Sequence, residues 1–149
     1  MLSHGRPPSS DTNAVYGRHL MLRLGDVENG RSLDCPEAIE QYLTGLVTGI
    51  GMRILDGPHV STEDSDPARY GHSGVVVLYE SHAAVHTYPL MRAMFLDVFS
   101  CKSFDVADVV RITAAAFGSF RIVETNVLDR GTHWSTDAES ELAAWHADR

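Results

Sequence analysis

Only two of the 149 residues are cysteine, Cys35 and Cys101, and they lie far apart in the chain. Two such thiols make no disulfide framework, so the fold must rest on its own core, and a reduced, cytoplasmic setting is expected. Long apolar runs are missing as well. The longest notable one, Val75-Val76-Val77-Leu78-Tyr79, is strand-sized, well short of the ~20 residues a bilayer span needs. The first ten residues contain no apolar signal region. Positive charge is scarce too: 12 Lys and Arg stand against 20 Asp and Glu, a net charge of -8. Nucleic acid and anionic membranes select basic surfaces, so neither is expected as a partner, whereas a cationic substrate suits an acidic protein.

What is present fits one soluble domain, with 44% hydrophobic and 21% charged residues and a length that buries a real core. Residues 1–14 are polar and rich in Pro and Ser, and read as a disordered arm. A domain over residues 15–130 follows, then a tail over 131–149 with a short polar helix expected at 137–146. The pattern predicts a strand at Tyr16–Leu24, then a loop to Ser32. A helix is predicted next, with Asp34 as cap, Pro36 in the first turn and Ile39, Leu43, Leu46, Val47 and Ile50 on one face. Met52–Leu55 reads as a short strand and residues 57–72 as a long loop. Strands are predicted at Gly74–Tyr79, Ala83–Tyr88 and Ala93–Ser100, the last two separated by Pro89. Asp105 caps a second predicted helix that ends at Gly118, and Phe120–Val123 is a final strand. Consecutive strands between two helices indicate an α+β fold, an antiparallel sheet covered by helices on one face.

The stretch from Gly71 to Cys101 carries the chemistry. Glu80-Ser81-His82 interrupts two hydrophobic strands; Ser73 lies eight residues before Ser81, His86 five after it and Cys101 twenty after it. By pattern alone this break is an ordinary hairpin turn, His86 a structural histidine and Cys101 an inert thiol. His72, His82, His86 and Cys101 are zinc-ligand types, but their spacing fits no standard zinc signature. There is no Gly-x-Ser-x-Gly elbow of a serine hydrolase.

Taken together, Gly-x-Ser-Gly-Val-Val-Val, Glu-Ser-His-x-x-x-His-Thr-aromatic-Pro and Asp-Val-Phe-Ser-Cys resemble the prokaryotic S-adenosylmethionine decarboxylases, pyruvoyl enzymes of polyamine synthesis. The resemblance runs without a gap from Ser73 to Cys101, extends over roughly residues 16 to 126, and includes the opening Gly17-Arg18-His19-Leu20. It implies a two-layer α/β sandwich and a homodimer with a shared active site. It also implies a self-processing proenzyme. Ser81 would attack the carbonyl of Glu80 and become a covalent pyruvoyl group, with Ser73 and His86 as processing residues. The substrate amine would then form a Schiff base on that group, Cys101 would return a proton after carbon dioxide leaves, and no metal or diffusible cofactor would be needed.

Two departures concern recognition. Leu90 stands where most members of that family carry a glutamate linked to the nucleoside part of the substrate. Pro67-Ala68-Arg69-Tyr70, inside a loop with Glu63, Asp64 and Asp66, replaces a Phe-His-x-Phe element. Tyr70 and Tyr88 are the remaining aromatic candidates for stacking on a base. The family includes relatives that act on ornithine or arginine, and an acidic loop near the site would suit a second cationic end. An uncleaved, non-catalytic paralogue is the rival reading from another class.

Overall fold

The central strands alternate between apolar and polar side chains, and this period of two decides the architecture. In the computed structural model the elements run β1 (Val15–Gly25), α1 (Gly30–Leu33), α2 (Pro36–Gly49), β2 (Ile54–Glu63), β3 (Gly71–Leu78), β4 (Ser81–Tyr88), β5 (Ala93–Ser100), α3 (Val106–Phe117) and β6 (Arg121–Thr132). The structure describes residues 15–132 together with the helical positions Ala143 and Ala147. The expected arm, and the expected tail helix apart from Ala143, lie outside the described residues. The strands form a six-stranded sheet in the order β2-β3-β4-β5-β1-β6, with every neighbouring pair antiparallel.

One face of the sheet is dry. Leu20, Leu22, Val76, Val85, Leu96 and Val98 are buried there, under the Ile39, Leu43, Leu46 and Val47 stripe of α2 and the Val109, Thr113 and Phe117 stripe of α3. Gly74 sits directly beneath α2. A Cβ at that position would come 2.8 Å from Leu43 Cδ1, so the second glycine of the Gly-x-Ser-Gly motif admits the helix. The helices are joined in the core by Tyr42, whose ring meets Phe117 edge-on at 4.7 Å and whose hydroxyl lies 2.7 Å from Thr113 Oγ1. Asp105 caps α3 as expected, accepting from Ala107 N at 2.9 Å, a contact type worth about 1 kcal/mol. Gly118 closes the helix with φ 77°.

None of α1, α2 and α3 lies on the opposite face. Val75, Val77 and Phe95 project from it, each more than one third exposed, beside the half-buried ring of Phe99. A cluster of ionisable groups crosses the same face: the His19 and His82 rings pack edge-on, the Arg130 guanidinium lies 3.9 Å from the centre of the Phe99 ring, and His19 Nε2 is 3.9 Å from Asp97. His19 Nε2 is buried without a hydrogen-bond partner among the described residues.

Four expectations need correction. Asp34 does not cap α2: the N-cap is Cys35, without a side-chain cap bond. Asp34 instead accepts from the Tyr70 hydroxyl and from His72 Nε2, because the two hydroxyl and imidazole donors compete better for its carboxylate than a distant backbone N–H does. The long loop at 57–72 is mostly strand, since β2 continues to Glu63. Its polar composition reflects an edge position with no buried face, and its register shifts twice around Gly57-Pro58, where proline has no N–H to give the ladder. For the same reason β6 runs far past Val123: it is the other edge, exposed from Arg121 to Gly131. Finally, a single helical turn, α1, forms inside the expected loop at 25–32, capped by the Asn29 side chain accepting from Ser32 N at 3.1 Å.

Candidate active site

The β3–β4 hairpin closes with two connecting residues, Tyr79 and Glu80, between the paired Leu78 and Ser81. Ser81 therefore opens β4 at the tip of the hairpin, and pairs across to Ser100 at the end of β5. Its φ is 146°, a region that an L-residue with a side chain rarely enters and that costs roughly 1–3 kcal/mol unless the surroundings enforce it. The enforcing contacts lie on both sides. The Glu80 carbonyl accepts the Cys101 backbone N–H at 2.9 Å. The Glu80 carboxylate accepts Arg53 N at 3.0 Å and Arg53 Nε at 3.1 Å. These donors, the backbone N–H first, hold the Glu80 carboxyl below its ordinary pKa against the opposing effect of burial.

Cys101 is thus fixed beside Ser81 by its own main chain while its thiol stays exposed and free. Ser100, just before it, is buried, with its hydroxyl between Met52 Sδ and Lys102 N, so the end of β5 is anchored. Gly17 of β1 permits the close approach of that end: a Cβ there would lie 2.3 Å from the Ser100 carbonyl oxygen and 2.9 Å from Cys101 Cα. A shallow pocket of about 180 Å³ opens at this corner, lined among others by Tyr16, Arg18, Cys101, Phe104 and Asp129. Tyr16 also reaches the turn, with its hydroxyl 3.5 Å from Ser81 Oγ and its ring 5.8 Å from that of Phe99. Nothing in the spacing of the sequence singles out Tyr16 or Asp129: they arrive from the two ends of the described chain through the β1–β6 ladder.

Ser73 and His86 also meet, with Ser73 Oγ 2.7 Å from His86 Nδ1 across a directly opposed pair. They meet away from Ser81. Five strand residues separate Ser81 from His86, about 16 Å at the usual rise, and both members of the pair are exposed on the helix-free face. Tyr88 lies further along β4, its ring edge-on to Phe95 at 6.1 Å. Tyr70 is tied to Asp34 beside the helix layer, edge-on to His72. Within one chain neither tyrosine approaches Ser81. The acidic loop is at that far end as well, and two of its charges are engaged locally: Glu63 with Ser65, Asp66 with Ala68 N and Arg69. His72 is buried between Asp34, at 2.9 Å, and Thr62 Oγ1, at 2.8 Å. Among the described residues no three His, Cys, Asp or Glu side chains converge as a metal site.

The chain is similar to known proteins on this same core. Residues 18–131 match the family model of S-adenosylmethionine decarboxylase. An S-adenosylmethionine decarboxylase proenzyme of Pseudomonas aeruginosa (strain LESB58) is 32% identical over 127 residues, 85% of this chain and 75% of that protein. The proenzyme of Methanococcus maripaludis (strain C5) is 38% identical over 85 residues, 57% of this chain, and the match spans 65% of the archaeal protein's length. The crystal structure of the adenosylmethionine decarboxylase from Aquifex aeolicus superposes with a TM-score of 0.63 at 26% identity, covering 78% of this chain and 92% of that one. With a one-sided antiparallel sandwich, a strained serine at a hairpin tip and a family match that spans nearly every strand, the chain belongs to the S-adenosylmethionine decarboxylase family.

Proposed function

We propose that this chain is the proenzyme of a pyruvoyl-dependent S-adenosylmethionine decarboxylase that cuts itself between Glu80 and Ser81. The observation that carries the reading is Ser81 itself, held at φ 146° with the preceding carbonyl on the Cys101 N–H at 2.9 Å. Ser81 Oγ attacks the Glu80 carbonyl carbon, and the charge that develops on that oxygen falls on the Cys101 N–H, an oxyanion donor already in place. The hydroxyl proton passes to the Ser81 nitrogen as the C–N bond breaks, so the amide becomes an ester. Loss of the Ser81 Cα proton then expels the Glu80 carboxylate and leaves dehydroalanine, whose hydrolysis releases ammonia and leaves pyruvoyl at the new N-terminus.

The residues around Ser81 suit such a group. It supplies an electrophilic carbonyl for a substrate amine and an electron sink for decarboxylation. Cys101, bonded through its N–H to the preceding carbonyl and with an exposed thiol, is the proton donor that the reaction needs. Asp129 adds a carboxylate to the same pocket, paired at 3.7 Å with Arg18, and suits a cationic substrate. Ornithine and arginine are the alternative substrates for the same chemistry, with the acidic loop at the end of β3 that carries Ser73.

A second copy completes the site. The Ser73–His86 pair is remote from Ser81 within the chain, yet exposed on the helix-free face with Val75, Val77 and Phe95. A bare apolar sheet face is a packing surface. Two such faces stacked about a two-fold axis bring the pair of one protomer toward the Ser81 of its partner, and an imidazole there moves the protons of the acyl shift and elimination.

Denaturing electrophoresis tests the reading: it should resolve pieces of residues 1–80 and 81–149. A single uncut band after prolonged incubation would sink it. Carbon dioxide release from S-adenosylmethionine, ornithine and arginine then decides the substrate.

A further inference from the structure

Glu80 is the acid nearest the scissile bond, and its surroundings are unusual. Its side chain is 10% exposed while that of its partner Arg53 is 72% exposed. A carboxylate withdrawn from water in this way must be partnered, and Arg53 donates to it twice, once from the main chain and once from the guanidinium. The same residue holds the other half of the turn. The Arg53 carbonyl accepts Tyr79 N at 3.1 Å, and its guanidinium lies 4.7 Å from the centre of the Tyr79 ring. One residue, in the segment leading into β2, therefore grips both connecting residues of the hairpin.

We infer that Arg53 is a positioning residue for self-cleavage, which clamps the Glu80 carboxylate so that the Glu80–Ser81 peptide stays in its reactive geometry. The inference rests on the self-cleavage reading above. The peptide is fixed on one side by Cys101 N and on the other by Arg53. With both in place the peptide plane cannot rotate, and Ser81 cannot relax to the negative φ it would otherwise take. The anchored carboxylate is also unavailable as the base that activates Ser81, which leaves proton transfer to other groups. Near-attack geometry is sensitive: a displacement of about 1 Å costs on the order of 100-fold in rate.

The test follows the processing of freshly synthesised full-length chains by denaturing electrophoresis. Arg53→Ala should cut about 10- to 100-fold more slowly. Arg53→Lys, which keeps the main-chain bond and one cationic donor, should fall between it and wild type. Glu80→Ala, which loses both bonds, should be at least as slow as Arg53→Ala, and the double variant no slower than Glu80→Ala. Hydroxylamine, which cleaves esters and leaves amides, gives a readout that a merely structural role would not move: the releasable fraction should drop in Arg53→Ala at a temperature where circular dichroism shows it folded. If Arg53→Ala does not fold, Arg53→Lys carries the same comparison. Wild-type cutting together with variants that cut at the wild-type rate overturns the role of Arg53 and leaves the proposed function standing. A wild-type chain that never cuts overturns both.

Discussion

The two ends of the β3–β4 hairpin are built differently. At the Ser81 end both connecting residues are tied: the Glu80 carbonyl to Cys101, the Glu80 carboxylate to Arg53, the Tyr79 N–H to the Arg53 carbonyl. At the other end Ser73 and His86 bond to each other and are otherwise open to solvent. The first end stores strain and polarises one carbonyl. The second offers an imidazole remote from the Glu80–Ser81 bond. Neither end holds all the parts that the proposed self-cleavage needs, and on that proposal their separation along one strand calls for a second molecule.

Breaking the first end should have the largest effect. Ser81→Ala removes the nucleophile, and cleavage and decarboxylation should both vanish; fragments of residues 1–80 and 81–149 from this variant would refute the assigned bond. Breaking the second end should cost about 100-fold or more in the cleavage rate, although His86 is remote. Co-expression sharpens this: His86→Ala chains should regain cleavage when paired with Ser81→Ala chains, which still carry His86. Failure to regain it would place the action of His86 within its own chain. A milder result is expected at the junction. Cys101→Ala keeps the main-chain N–H that polarises Glu80, so it should still cut, while turnover of the cleaved enzyme drops about 100-fold; full turnover would remove the thiol as proton donor.

The smallest effect concerns the helix-free face between the two ends. Burial pushes the His19 imidazole below its ordinary value, with Asp97 opposing and Arg130 and His82 adding to the shift. The folded chain then binds this proton less tightly than the unfolded one, for which the ordinary value is 6.5. His19 thus contributes fully above that pH, and its contribution fades as pH falls below it. Thermal melts at pH 7 and pH 5 should show a small drop that His19→Gln reduces; an unchanged drop would assign it to other groups.

Much of this was legible in the sequence where one face of an element is buried. The α2 stripe, the Asp105 cap and the central strands follow from period and capping chemistry, because burial imposes the pattern. The edge strands β2 and β6 read as shorter than they are because no burial writes on them. Asp34 was misread for a related reason: a carboxylate before a proline is a good cap by local rules, and only the fold brings Tyr70 and His72 to it. Ser81, Ser73, His86 and Cys101 stood out by motif. The motif did not reveal that two of the four lie far from the others in one chain, nor that Arg53 and Tyr16 reach the turn.

The strand order has a consequence for the product of self-cleavage. A cut after Glu80 assigns β1, β2 and β3 to one piece and β4, β5 and β6 to the other, and the sheet order β2-β3-β4-β5-β1-β6 interleaves them. Three of the five ladders, β3–β4, β5–β1 and β1–β6, then join different polypeptides. The nicked protein is a braid: neither piece owns a sheet of its own, and neither can leave without unravelling the other. Maturation can therefore sever the backbone in the middle of the sheet and still leave one folded body.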